Sequence, residues 1–94
     1  MRTINEKLPI LCIKQASQHV IMPGTVSEEQ FWLLIELSSI HSNKMIMALF
    51  EHLVRGSSRK DICDAHNVNN GYLSTSLKRL YRVNELVRSL SVYY

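Results

Sequence analysis

The residues that could bind a polyanion are concentrated in the C-terminal half of this 94-residue chain. Residues 42–94 hold eight Lys or Arg against four Asp or Glu, whereas residues 1–41 hold three against four. Clustered cations neutralise phosphates and release counterions, so this pattern favours a nucleic acid as the partner, with an ordinary solvated basic face as the alternative. The cations in question are Arg59 and Lys60, then Lys78, Arg79 and Arg82.

The elements that must position these cations follow a helix-turn-helix pattern over residues 58–80. Two short helices that cross steeply need inward apolar residues, a small residue at the crossing and a left-handed residue at the turn. The matching residues, in chain order, are Ile62 (inward), Cys63 (small), Asn67 (left-handed), Val68 (filling the corner), and Leu73 and Leu77 (facing back).

The second helix of this motif predicts a recognition surface. At 100° per residue, an inner stripe of Leu73, Leu77, Leu80, Val83 and Val87 faces the core. Small hydroxyls near the helix start allow close approach to DNA, and longer cations behind them suit phosphates. The side opposite the inner stripe carries Ser74, Thr75, Lys78 and Arg82, with Arg79 at the flank. At the start of the helix, base edges or sugar-phosphate could be contacted by Asn69, Asn70 and Tyr72. Arg59 and Lys60, which open the preceding helix, could contact phosphates.

The rest of the chain predicts an all-α fold, a single domain over residues 1–94 with about four helices and a long last helix. Residues 1–22 lack helical periodicity and are expected to be an irregular arm, in which residues 8–13 and 20–22 are extended or irregular. Pro23-Gly24 is a breaker, and residues 27–55 predict two core helices with caps at Ser27 and Ser42. The helix-turn-helix occupies residues 58–90, with Gly56 before it as a helix stop and Ser57 or Ser58 as the next cap.

Two apolar surfaces indicate self-association. A chain of this length buries only ~60–65% of the surface that it exposes when unfolded, so an oligomer is a reasonable way to cover more. The first core helix is apolar on nearly all sides, which places it at the centre of the core or against a partner subunit. The predicted oligomer contacts on this helix are Phe31, Trp32 and Leu33. Leu86 and Leu90 are predicted contacts in a C-terminal apolar patch that also contains Val92, Tyr93 and Tyr94. This patch could instead pack on its own subunit.

Other classes of function find little support in the sequence. No catalytic order of Ser, His and Asp, phosphate-binding glycine loop or paired-carboxylate cleft is visible, so an enzyme, a cofactor and a small-molecule substrate are not expected. Cys63 and His66 could form a thiol–imidazole pair or half a metal site. A zinc site needs four ligands close together, and the spacing of the other Cys and His residues indicates no such cluster. Cys12 and Cys63 are expected to be reduced thiols in a cytoplasmic protein, because neither a secretory signal nor a membrane span is visible. The main rival is a helical protein-interaction module with a basic face for an acidic partner; RNA binding is less favoured, since stacking aromatics are few.

The sequence resembles the enterobacterial fimbrial regulators of the PapB/FocB type over roughly residues 20–94. One similar block comprises residues 22–28, residues 31–37 and Ser-Ser-Ile-His-Ser at 38–42. A second block comprises residues 58–63, Asn-Asn-Gly at 69–71, Ser74-Thr75 and residues 77–80. The closing Tyr93-Tyr94 is also similar. The resemblance implies a transcription regulator of adhesin operons, nucleoid-associated when bound, that binds double-stranded DNA as an oligomer, often at T-rich sites. It implies that Arg59 and Cys63 take part in DNA binding. It also implies binding in the A/T-rich minor groove, which argues against placing Ser74 and Thr75 in the major groove.

Overall fold

The structure is a computed structural model that describes residues 21–94. Within that range the chain forms four helices and no strand, so the predicted all-α fold with a long last helix is confirmed. The helices are α1 over Glu28–Ser38, α2 over Asn43–Leu53, α3 over Arg59–His66 and α4 over Asn70–Ser91. The expectations for residues 8–13 and for Cys12 lie outside the described residues, as does most of the predicted N-terminal arm.

Each helix begins at a side chain that accepts a hydrogen bond from a backbone N–H three residues later. Such a cap satisfies one of the amides that lack an intrahelical acceptor and stabilises a helix by ~1 kcal/mol. The predicted caps at Ser27 and Ser42 are confirmed, and Ser58, not Ser57, caps the helix after Gly56. The oxygen–nitrogen distances are 3.1 Å at Ser27, 3.2 Å at Ser42, 3.1 Å at Ser58 and 3.1 Å at Asn69.

A pair of glycines fixes the chain at the end of α2, just before α3 begins. Gly24 and Gly56 both have positive φ, 75° and 82°, and a Cβ on Gly24 would lie 3.3 Å from the Gly56 Cα. Both glycine N–H groups donate to the carbonyl of His52, each at 3.2 Å. The buried His52 ring also lies with Nδ1 2.8 Å from the Ser57 carbonyl oxygen, where an Nδ1–H donates to it. The start of α3 is therefore positioned by backbone geometry that only glycine adopts without strain.

The core lies where the four helices meet, and it ends before α4 does. Phe31 and Phe50 pack edge to face with centroids 5.3 Å apart. The last buried residue of α4 is Asn84, and Val87, predicted to lie on the inner stripe, is 41% exposed. That prediction is wrong because the core contacts of α4 end near Asn84, and no later residue of the helix is buried. The largest fully buried side chains are Phe31, Met45, Leu49, Leu53, Ile62, Leu73 and Leu80.

Helix α1 has one buried face, although its sequence is apolar nearly all round. Phe31, Leu34 and Ile35 point into the core, whereas Leu33 and Leu37 are 58% and 60% exposed. The helix therefore presents an apolar strip on the surface of the subunit. In residues 21–94, no helix combines the length and the apolarity needed to cross a membrane.

Candidate nucleic-acid interface

Helices α3 and α4 form the predicted helix-turn-helix. Ile62 on α3 and Leu73 on α4 are both buried in the core, with 2% and 0% of their surface exposed. Asn67 adopts the left-handed conformation at φ 54°, and Val68 is buried at the corner between the helices. Cys63 is partly buried against the core, and its carbonyl accepts the Val68 N–H at 3.2 Å. The local pattern of inward, small and left-handed residues therefore produces the crossing that the sequence predicts.

The outward side of α4 carries exposed polar and cationic side chains. Thr75, Lys78 and Arg82 are exposed, whereas Ser74 is half-buried beside α3. The Arg59 guanidinium at the first turn of α3 donates through Nη2 to the Ser74 hydroxyl. This hydrogen bond joins the two cationic groups of the sequence into one surface. The surface formed by Thr75, Lys78 and Arg82 is called the outer ridge of α4 below.

A shallow depression of about 520 Å³ lies on the α3 side of the outer ridge. It gathers four of the residues that the sequence predicts to bind DNA, among them Cys63, together with an aspartate that sequence reasoning did not include. Two of its lining residues, Arg59 and Lys60, are cations in the first turn of α3, at the positive end of the helix, an arrangement that suits a phosphate. The lining residues are Arg59, Lys60, Cys63, Asp64 and Asn70.

A second cleft, of about 270 Å³, lies on the other side of the outer ridge. One wall is α4, through Tyr72, Thr75, Ser76 and Arg79, and the other is the loop between α1 and α2. Sequence reasoning missed this cleft, because its two walls are about 30 residues apart and no local pattern links them. The loop residues that line it are Ser39, Ile40, His41 and Ser42.

The predicted side chains at the start of α4 divide between the two flanks of the ridge. Asn69 is the helix cap, and its side-chain oxygen already accepts the Tyr72 N–H, so this oxygen serves the fold. Asn70 is exposed on the α3 side, and Tyr72, 54% exposed, lies beside Arg79 in the second cleft. The eleven predicted DNA-binding residues therefore lie on one continuous stretch of α3, the turn and α4, but they do not share one pocket.

The five cations of this surface have no carboxylate partner among residues 21–94. The two ion pairs found there, Arg55–Glu51 and Arg88–Glu85, involve none of them. Uncompensated positive charge on a solvated surface attracts polyanions and is screened by salt. The five cations are Arg59, Lys60, Lys78, Arg79 and Arg82.

Cys63 and His66 have no further metal ligands placed around them in residues 21–94. Across residues 21–94, no group of three or more His, Cys, Asp or Glu side chains is placed to hold a metal ion. The Cys63 side chain instead packs against the core beneath α3. Its role within the described part of the chain is therefore that of a small packing residue next to the first depression.

The residues predicted to contact another subunit do not behave alike. Phe31 is completely buried within its own subunit, so its inclusion as an oligomer contact is wrong. Its neighbours Trp32 and Leu33 are 45% and 58% exposed, and Leu37 extends this strip. At the end of α4, the exposed apolar residues are Leu86, Val87, Leu90, Val92, Tyr93 and Tyr94.

Comparison with known proteins identifies relatives of one kind. The family model of the adhesin biosynthesis transcription regulatory protein matches residues 1–94. The major pilus subunit operon regulatory protein PapB of Escherichia coli is 49% identical over 77 residues, which cover 82% of this chain and 74% of that protein. The AFA-III adhesin operon regulatory protein of Escherichia coli is 44% identical over 84 residues, 89% of this chain and 83% of that protein.

A solved structure agrees with these sequence matches. The crystal structure of Escherichia coli FocB superposes with a TM-score of 0.76 at 46% identity and covers 92% of this chain and 98% of that one. The resemblance inferred from the sequence motifs is thereby confirmed. The chain belongs to the family of adhesin biosynthesis transcription regulatory proteins.

Proposed function

We propose that this member of the adhesin biosynthesis transcription regulatory family controls an adhesin operon by binding operator DNA through α3 and α4. The observation that carries the proposal is the surface built around the outer ridge of α4, where five cations without a carboxylate partner in residues 21–94 surround Thr75. Relatives are operon regulatory proteins by name. In a bacterial cell, such a protein works in the cytoplasm, on the nucleoid.

The chemistry of the ridge suits an A/T-rich duplex. Thr75 is small, so α4 can approach DNA closely at this point, while Lys78 and Arg82 reach phosphates on either side. A/T-rich DNA has a narrow groove with enhanced negative potential, which attracts arginine side chains. Arg79 and Arg82 are exposed one turn apart, so both can reach the phosphates that border such a groove. Preference for A/T-rich operators follows from shape and charge, without a code of base contacts.

Self-association completes the proposal. One domain with five phosphate contacts binds weakly, but linked domains on adjacent sites bind with a much higher combined affinity. The exposed strip of Trp32, Leu33 and Leu37 and the C-terminal end of α4 provide apolar area for such contacts. Exposed apolar surface of this kind marks protein interaction sites. We expect a homodimer or higher oligomer, aligned along several operator sites.

The test is binding of the full chain to fluorescent A/T-rich and G·C-rich duplexes of equal length across a salt series. The proposal predicts tighter binding to the A/T-rich duplex, a steep log-linear loss of affinity with salt, and stepwise complexes on longer fragments. A flat salt dependence with no DNA preference would refute it. That outcome would favour the alternative, a helical protein-interaction module whose basic face meets an acidic partner protein.

Self-association is tested separately by sedimentation velocity. Replacing Leu86 and Leu90 together by glutamate places charge on the exposed end of α4 without touching its buried residues, so helicity and the melting temperature should be retained. The variant should sediment as a smaller species than the parent at the same concentration. The control replaces Ser89 and Ser91, which are exposed on the same turns, by glutamate. Unchanged sedimentation of the leucine variant would place the contact elsewhere.

A further inference from the structure

The second cleft has the features of a phosphate-binding site. Its walls are the loop between α1 and α2 and the flank of α4 that faces away from α3, and it encloses about 270 Å³. Arg79 supplies a positive charge and Tyr72 supplies a hydroxyl group, whereas the Thr75 hydroxyl donates to the Gly71 carbonyl at 3.1 Å. Arginine and hydroxyl side chains are common phosphate ligands in protein–DNA interfaces. The cleft is therefore equipped for an anion on the side of the ridge opposite to Arg59.

A buried hydroxyl in this cleft has no partner in the described part of the chain. Ser76 is only 4% exposed, it lines the cleft, and its hydroxyl forms no hydrogen bond within residues 21–94. A buried polar group without a partner costs free energy, and such groups in native structures call for a ligand, a water or a functional role. An acceptor oxygen of a bound phosphate would satisfy the Ser76 hydroxyl.

The opposite wall of the cleft ends at the N-terminus of α2. Ser42 caps this helix through the Met45 N–H, which leaves the N–H groups of the two preceding residues directed out of the helix end. The first turn of α2 contains no acidic residue, whereas α1 and α3 have acidic residues there. Exposed His41 and Lys44 flank the same end. The helix end therefore adds positive potential to a cleft that already holds Arg79.

The two flanks of α4 are separated by the outer ridge. At 100° per residue, Ser74, which Arg59 contacts, and Arg79 lie about 140° apart around the helix. Thr75 and Lys78 lie between them. A helix lying in a groove of DNA has one phosphate backbone on each side. Anion sites on both flanks are the arrangement that grips both strands.

We infer that the cleft between α4 and the loop at residues 39–42 binds a DNA backbone phosphate on the strand opposite to the one held by Arg59 and Lys60. The inference rests on the proposed function and adds a second, strand-specific contact to it. Arg79 binds the phosphate by charge, Ser76 donates its buried hydroxyl, and the N-terminus of α2 faces the same oxygens. The loop between α1 and α2 thereby becomes part of the DNA interface.

The first experiment is phosphate ethylation interference on both strands of one operator fragment, using the parent, Arg59→Ala, Arg79→Ala and Arg88→Ala. Arg88 is the control, since it lies on α4 about 13 Å beyond Arg79 by helical rise and pairs with Glu85. Arg79→Ala should lose interference at phosphates of one strand and Arg59→Ala at phosphates of the other, while Arg88→Ala retains the parent pattern. Loss of the same phosphates in both variants, or no loss in Arg79→Ala, overturns the inference.

The second experiment uses Ser76→Ala, with DNA affinity and melting temperature measured on the same preparation. Because alanine is the better helix former and the buried hydroxyl has no partner in residues 21–94, the melting temperature should not fall. Affinity should fall about 10- to 100-fold, as for loss of a hydrogen bond to a charged group. Unchanged affinity overturns the role of Ser76 in the cleft. If the parent chain binds no DNA, the proposed function fails. If the parent binds DNA and Arg59→Ala weakens that binding, but Arg79→Ala and Ser76→Ala bind like the parent, only this inference fails.

Discussion

Replacing Arg59 by alanine should weaken DNA binding without weakening the fold. The side chain is exposed at the first turn of α3, and its contact in the free protein is the hydrogen bond to Ser74. No buried group loses a partner in the variant, so a change in stability within ~0.5 kcal/mol is expected. Binding, in contrast, loses both a charge and a donor that fits a phosphate.

The size of the effect follows from the charge of the surface. Each neutralised phosphate contributes about −0.9 to the slope of log K against log salt, so five cations give about −4.5 per bound protomer and four give about −3.6. Between 50 and 200 mM salt, these slopes correspond to losses of affinity of about 500-fold and about 150-fold. At fixed salt, loss of a charge-assisted hydrogen bond adds a decrease of about 10- to 100-fold.

The assay is fluorescence anisotropy on a short duplex with a single site, so that slopes refer to one binding event. Arg59→Lys is the informative companion, because it keeps the charge and removes the planar donor pair; it should retain the parent slope and lose part of the affinity. Arg88→Ala, which removes a cation paired with Glu85, should match the parent. A parent-like slope and affinity in Arg59→Ala would refute the position of the interface on α3 and α4.

Three further substitutions test how the fold positions this surface. Leu49→Ala, at a completely buried core position, should lower the free energy of unfolding by ~2–5 kcal/mol in urea titration, and a loss below ~1 kcal/mol would contradict its burial. Ser58→Ala removes the cap of α3 and should cost ~1 kcal/mol by thermal melting, whereas Ser57→Ala, the neighbouring serine that does not cap, should melt like the parent. Gly56→Ala places a side chain at φ 82° and should destabilise by at least ~1–2 kcal/mol; a parent-like melting temperature would show that the turn has another conformation.

Features set by neighbouring residues could be predicted from the sequence. The caps at Ser27 and Ser42 and the left-handed turn at Asn67 depend on short-range chemistry, in which one side chain meets a backbone group a few residues away. The helix-turn-helix was predicted to end at residue 90, and the observed end of α4, Ser91, is one residue beyond it. The outward position of Thr75, Lys78 and Arg82 follows from helical periodicity once α4 is placed.

Features set by distant parts of the chain could not be predicted. The sequence of α1 is apolar on consecutive positions, so periodicity could not distinguish the buried Phe31 from the exposed Trp32 and Leu33. Whether Val87 is buried depends on where the other helices end, which the sequence of α4 does not contain. The second cleft requires His41 to lie near Arg79, a contact across about 40 residues that arises only when α1, α2 and α4 pack.

DNA that lies against the outer ridge of α4 would perturb the backbone amides of the residues that it contacts. Backbone amide signals of the ¹⁵N-labelled chain would be followed by NMR during titration with an A/T-rich duplex. The strongest perturbations should cluster at Arg59 and Lys60, along Asn70 to Arg82 on the exposed side, and at residues 41–44. Perturbations confined to the exposed strip of α1 and the C-terminal end of α4, with the ridge unaffected, would contradict this position of the DNA.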